Sequence, residues 1–146
     1  MIARTIPAVS LFAALATTAR ADCIFNSTSD VAFGVYDVFS SLDTDSTGSV
    51  RIRCNPIVPY TVKLSAGTAG SFMPRRLANG TAQLEYNLYL DSAHTQVWGD
   101  GSSGTSFLSA AAHNGNRTYT IYGRIPNGQD PTVGSYVDAI IATLDF

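Results

Sequence analysis

Ser49-Val50-Arg51-Ile52-Arg53-Cys54 alternates without a break: Val50, Ile52 and Cys54 share one face, and Ser49, Arg51 and Arg53 share the other. Successive side chains of a β-strand point to opposite faces, so a two-residue period with one charged face describes a strand packed on one side and wet on the other. Tyr60, Val62 and Leu64, set against Thr61 and Lys63, repeat the pattern a few residues on. Outward from this pair, runs rich in Val, Ile, Tyr, Phe and Thr occupy residues 23–25, 31–39, 83–90, 106–110, 117–125 and 135–146. Gly, Asn, Asp, Ser and Pro separate them. Trp98-Gly99-Asp100-Gly101-Ser102-Ser103-Gly104 reads as turn or loop, as do Pro126-Asn127-Gly128 and Asp130-Pro131. Ser109-Ala110-Ala111-Ala112-His113 is short for a helix and Asn114-Gly115 closes it like a hairpin turn, so it reads as strand. Short strands with frequent turns predict one all-β domain, a sandwich or barrel, without linker or repeat.

The amino-terminal residues decide the compartment. Arg4 precedes an apolar stretch over residues 6–16, broken only by Pro7 and Ser10, and Ala19-Arg20-Ala21 follows with small residues where signal peptidase needs them. Spanning a bilayer takes roughly 20 apolar residues, and this stretch is about half that. Residues 1–21 are therefore expected to be a signal peptide and residues 22–146 the exported domain. Of the nine Lys and Arg, Arg4 and Arg20 lie in the leader, and eleven acids face the remainder. A mildly acidic domain without a basic cluster argues against nucleic acid or an anionic membrane as partner. Cys23 and Cys54 are an even count in an exported chain and read as one disulfide. Its loop of about 30 residues is worth roughly 3–4 kcal/mol on an entropic account. Free thiols serving as metal ligands would need His or Cys partners at suitable spacing, and none are near.

No chemical motif stands out. Asp43-Thr44-Asp45-Ser46-Thr47-Gly48 resembles the start of a calcium loop, but Cys54 stands where the bidentate Glu belongs, so a polar hairpin loop is expected. His94 and His113 lack the further ligands that zinc or copper requires and read as surface histidines. No serine sits in a nucleophile elbow, and nothing points to a glycosidase-type carboxylate pair. The expectation is no catalysis, no metal and no cofactor. Asn26-Ser27-Thr28, Asn79-Gly80-Thr81 and Asn116-Arg117-Thr118 match the glycosylation pattern, which chance supplies in a chain of Ser, Thr and Asn turns.

At the carboxyl end Ile140, Ala142, Leu144 and Phe146 fall on one face, with Ala139, Ile141, Thr143 and Asp145 on the other. Two readings stand side by side. Either this strand keeps an open apolar edge that another chain must cover, or earlier strands pair it on both sides.

Phe33-Gly34-Val35-Tyr36-Asp37, residues 48–54, Pro74-Arg75-Arg76-Leu77 and Leu84-Glu85-Tyr86-Asn87-Leu88-Tyr89 form an ordered set. Trp98-Gly99-Asp100-Gly101, Tyr122-Gly123-Arg124-Ile125-Pro126 and Gly134-Ser135-Tyr136-Val137-Asp138 complete it. Together they resemble the spore coat protein U domain family, which includes subunits of archaic chaperone–usher pili. That resemblance implies an immunoglobulin-like sandwich lacking its final strand, with Cys23 and Cys54 at the family's disulfide positions. A periplasmic chaperone first lends the missing strand, and in the fibre another pilin-like subunit replaces it, with an outer-membrane usher assembling the fibre. By the same analogy Ile140, Ala142, Leu144 and Phe146 floor or flank the acceptor groove. One departure is that only Asp22 stands between the expected cleavage site and Cys23, and one residue cannot span a groove at about 3.3 Å per residue. The subunit is therefore expected to accept a strand, not to donate one, and to sit at a fibre tip on the cell surface.

Two other classes compete. A free-standing secreted adhesin or carbohydrate-binding module would use Trp98, Tyr86, Tyr89 and Tyr122 on its ligand, although sandwich aromatics are more often core. A secreted β-sandwich enzyme would need a site that the sequence does not display. The surface ligand is not legible.

Overall fold

The computed structural model describes residues 21–146, so the expected leader lies outside the described residues apart from Ala21. Eight strands form in chain order: β1 (Asp22–Ser29), β2 (Thr44–Asn55), β3 (Tyr60–Leu64), β4 (Arg75–Asn79), β5 (Ala82–Tyr89), β6 (Leu108–Ala110), β7 (Asn116–Ile125) and β8 (Ala142–Asp145). No helix occurs among the described residues. Five strands make one antiparallel sheet, β1-β2-β7-β5-β4, and three make the facing sheet, β6-β3-β8. The molecule is an all-β, immunoglobulin-like sandwich.

The alternation read from the sequence places the core. Val50, Ile52 and Cys54 on β2 and Tyr60, Val62 and Leu64 on β3 are buried, while Arg51 and Arg53 are exposed. Ile121 and Ile125 on β7 and Leu84, Tyr86 and Leu88 on β5 complete the larger sheet's inner face. Cys23 stands directly opposite Cys54 across the β1–β2 ladder, with Cα atoms 4.1 Å apart, and the two are bridged. The disulfide thus pins an edge strand to its neighbour within one sheet.

Several expectations are corrected. Residues 43–48 are not a hairpin loop but, from Thr44, the first half of β2, aligned with β7 from Thr44 opposite Ile125 to Gly48 opposite Ile121. Cross-strand partners override weak local propensity here: Arg124 grips the Asp45 carboxylate with two hydrogen bonds of 2.7 and 2.8 Å. Gly48 is required because a Cβ there would meet the Ser29 carbonyl at 2.6 Å. Residues 31–39, expected as a strand, form none; the stretch has strand-like composition, but no strand among the described residues bonds to it. The run 135–146 is a strand only over β8, with one bridge upstream between Val137 and Ala78. Strand β4 goes unread in the sequence because Arg75 and Arg76 mask it. Asn114-Gly115 does not close a hairpin: β6 pairs with β3 and β7 with β2 and β5, so this turn carries the chain between sheets. Trp98 does lie in a loop, with one bridge to Ser106, and as expected of sandwich aromatics it is core: fully buried, it donates Nε1 to the Val62 carbonyl at 3.0 Å.

Candidate functional site: an apolar groove beside the last strand

Strand β8 hydrogen-bonds to β3 on one side, and no described strand pairs with its other edge. Of the two readings of the last strand, pairing on both sides is not found among the described residues. Because the smaller sheet stops there, part of the larger sheet's inner face has no strand above it. The result is a groove of about 950 Å³, floored by Val50, Leu84, Leu88, Ile121 and Ile125 and flanked by Leu64 and Leu77.

Two extended segments wall it. Residues 30–38 form the near wall, where Val31 and Phe33 pack against the core and Val35 stands 90% exposed. The switch falls at Gly34, whose φ of 73° lies in the left-handed region that favours glycine. Residues 132–142 form the far wall. Val137 exchanges two backbone hydrogen bonds with Ala78, at 2.8 and 3.1 Å, and the Ile141 carbonyl accepts from Ser65 N at 2.9 Å. Alternation along an extended chain turns the backbone groups of the residues between, such as Ile140, toward the groove.

An aromatic bar joins the walls across the floor. Phe33 meets Tyr86 edge-on with centroids 6.0 Å apart, and the Tyr86 hydroxyl donates to Asp138 Oδ2 at 2.6 Å. Burial, then the Asp138 hydrogen bond, push the Tyr86 phenol far above its ordinary pKa, so it stays a donor at any working pH. Asp138 Oδ1 also accepts from Thr68 N and Thr68 Oγ1, both at 2.8 Å. Beneath this lies Arg75, fully buried, donating to the Ser65 and Trp98 carbonyls and to Asn87 Oδ1 at 2.7–3.0 Å. Burial presses its guanidinium below its ordinary pKa, and every donation goes to a neutral acceptor.

Of the residues read from the sequence as groove-forming, Ile140 and Ala142 line the groove, and Leu144 packs on the core further along β8. Phe146 lies beyond the lined stretch and is 56% exposed. The sequence points to Tyr86 only as a ligand contact of an adhesin, where it is instead buried in the groove, and it gives no sign of Asp138; the apolar run 31–39 is the signal for the near wall. The histidines are not plain surface groups. The His94 side chain is 9% exposed, wedged edge-on between Tyr89 and Tyr122 with Nε2 3.8 Å from Asp45, and His113 Nε2 lies 2.7 Å from the Tyr60 hydroxyl. Among the described residues no cluster of three or more potential metal ligands occurs.

Known proteins resemble this chain in sequence or in fold. Protein U of Myxococcus xanthus is 32% identical over 128 residues, covering 78% of this chain and 70% of that protein. A solved chaperone–tip adhesion subunit pre-assembly complex, CsuC–CsuE from the archaic chaperone–usher Csu pili of Acinetobacter baumannii, contains a chain with the same fold. The TM-score is 0.59 at 24% identity over 88% of this chain, which spans 40% of that chain's length. The Spore Coat Protein U domain model matches residues 8–143, and the chain therefore belongs to the spore coat protein U domain family.

Proposed function

We propose that this chain is a non-catalytic subunit of a bacterial surface fibre or coat, completed by a β-strand that another protein inserts into the groove. The observation that carries the reading is the apolar floor between two extended walls, with the β8 edge open beside them. An extended peptide there would bond its backbone to the walls and lay alternate side chains on the floor, the mode of β-augmentation. Before assembly the strand comes from a periplasmic chaperone and in the fibre from another pilin-like subunit, with an outer-membrane usher between the two stages. The chaperone-bound state of the Csu neighbour supports the first partner. Ile140 and Ala142 face the incoming strand, and Leu144 holds β8 in place for it.

A tip position is the finer proposal. β1 is paired from Asp22 onward, so cleavage after Ala21 leaves no free segment ahead of it to lend to a neighbour. Immunogold labelling should mark fibre ends, and label along the shaft would exclude the placement. The strand slot itself is tested by fusion. An alternating apolar strand of about nine residues, joined after Phe146 by a short flexible linker, should give a heat-resistant monomer. The unfused chain should self-associate through its uncovered groove. A stable monomer without any added strand would defeat the proposal.

A further inference from the structure

The two walls are held by different means, and the difference bears on how the slot fills; the inference rests on the strand-slot reading above. The far wall is tied through its backbone, at Val137 to Ala78 and at Ile141 to Ser65. The near wall makes no backbone–backbone hydrogen bond over residues 30–36 among the described residues. Side chains alone pin it. Val31 and Phe33 lie over Gly123, where a Cβ would come within 2.6 and 2.8 Å of them. Ser46 Oγ donates to the Ala32 carbonyl at 2.6 Å. The Tyr36 hydroxyl donates to the Pro126 carbonyl and accepts from Gln129 N, both at 3.0 Å. Gln129 is itself braced on β5, its side chain bonding Glu85 N and O at 2.8 and 2.9 Å. Tyr36 therefore latches onto a firm post, and Gly34, at φ 73°, lies between this latch and the Val31–Phe33 anchor. A segment without ladder bonds, pinned at separated points around a glycine, opens far more readily than a laddered strand.

We propose that residues 30–38 are the moving wall of the slot. The segment opens at the Tyr36 latch, the incoming strand pairs first with the fixed wall and the β8 edge, and the near wall then closes over it and gains the ladder it lacks. The occupant is an extended apolar strand whose backbone reaches both walls.

Hydrogen exchange and stopped-flow binding test this, with the freshly isolated monomer fraction of the unfused chain and a lysine-capped peptide of nine alternating valines and threonines as the probe. Amides of residues 31–36 should be unprotected in the free chain and become protected on binding. Tyr36→Phe, which removes the latch, should raise the association rate about tenfold. Gly123→Ala, whose methyl group bars Val31 and Phe33 from reseating, should leave association no slower and speed release at least tenfold. Binding with near-wall amides already protected beforehand, or still unprotected afterwards, would overturn the moving wall alone, as would an unchanged Tyr36→Phe rate. Failure of the peptide to bind at any concentration would overturn the strand-slot reading and this inference with it.

Discussion

Asp138 hangs the far wall on the sandwich, accepting from Tyr86 on β5 and from Thr68 in the loop after β3. Gly67 makes the approach possible: a Cβ there would lie 2.1 Å from Asp138 Oδ2. Removing the carboxylate leaves a part-buried phenol without its acceptor, which costs about 1–3 kcal/mol. Asp138→Ala should therefore lower the urea-unfolding free energy of the strand-fused protein by about 2 kcal/mol. Tyr86→Phe should cost less alone and almost nothing in the Asp138→Ala background, because the two changes remove one interaction. Asp45 gives the molecule an acid-sensitive contact. Its hydrogen bonds to Arg124, and then that charge, hold its carboxyl below the ordinary carboxylate value. The folded carboxylate thus binds its proton less readily than the unfolded one, so the contribution is complete above about pH 4 and fades as pH falls through the folded pKa. Asp45→Asn should flatten the acid limb of the stability curve by less than about 1 kcal/mol, since the pair is partly exposed.

The informative elements are the two edges that meet at the groove. β8 has four residues, pairs among the described residues only with β3, and keeps an alternation that carries Ala142 and Leu144 inward and Thr143 and Asp145 outward. Replacing Ile140 and Ala142 together by aspartate puts two unpaired charges where an apolar strand must lie. Strand capture should be abolished, measured as loss of co-purification with a periplasmic chaperone, while Thr143→Asp on the outer side should leave it intact. β1 owes its place at the opposite edge to the disulfide as much as to its ladder with β2. Reduction of Cys23–Cys54 in the strand-fused protein should cost roughly 3–4 kcal/mol by loop entropy, read as a lower urea midpoint. Native behaviour unchanged by reductant would contradict that role.

For the whole molecule, the five-stranded sheet has two more strands than the three-stranded sheet facing it, and the groove lies where its inner face is left uncovered. Much of the plan was legible in the residues. Alternation through residues 49–54 and 60–64 determined which faces are buried, because the pleat leaves no other place for Val50, Ile52, Val62 and Leu64. Two cysteines in a chain read as exported implied one bridge, and the ordered motifs implied the family. Other features had no local signature. Residues 31–39 have the composition of a strand and residues 43–48 that of a loop, yet the structure reverses the two. Hydrogen bonding needs a neighbour: β7 supplies one to Asp45, and no described strand supplies one to Val31. That Trp98 is core is in line with sandwich aromatics in general, but its anchor, the indole N–H on the Val62 carbonyl of the facing sheet, has no sign in the glycine-rich sequence around it. The sequence by itself determined the strand periodicity, the core faces and the pairing of the only two cysteines, all properties of near neighbours or of composition. Only the tertiary structure decided which edges stay open, which wall is firm and that Tyr86 and Asp138 link across the groove, because each depends on contacts between residues far apart in the chain.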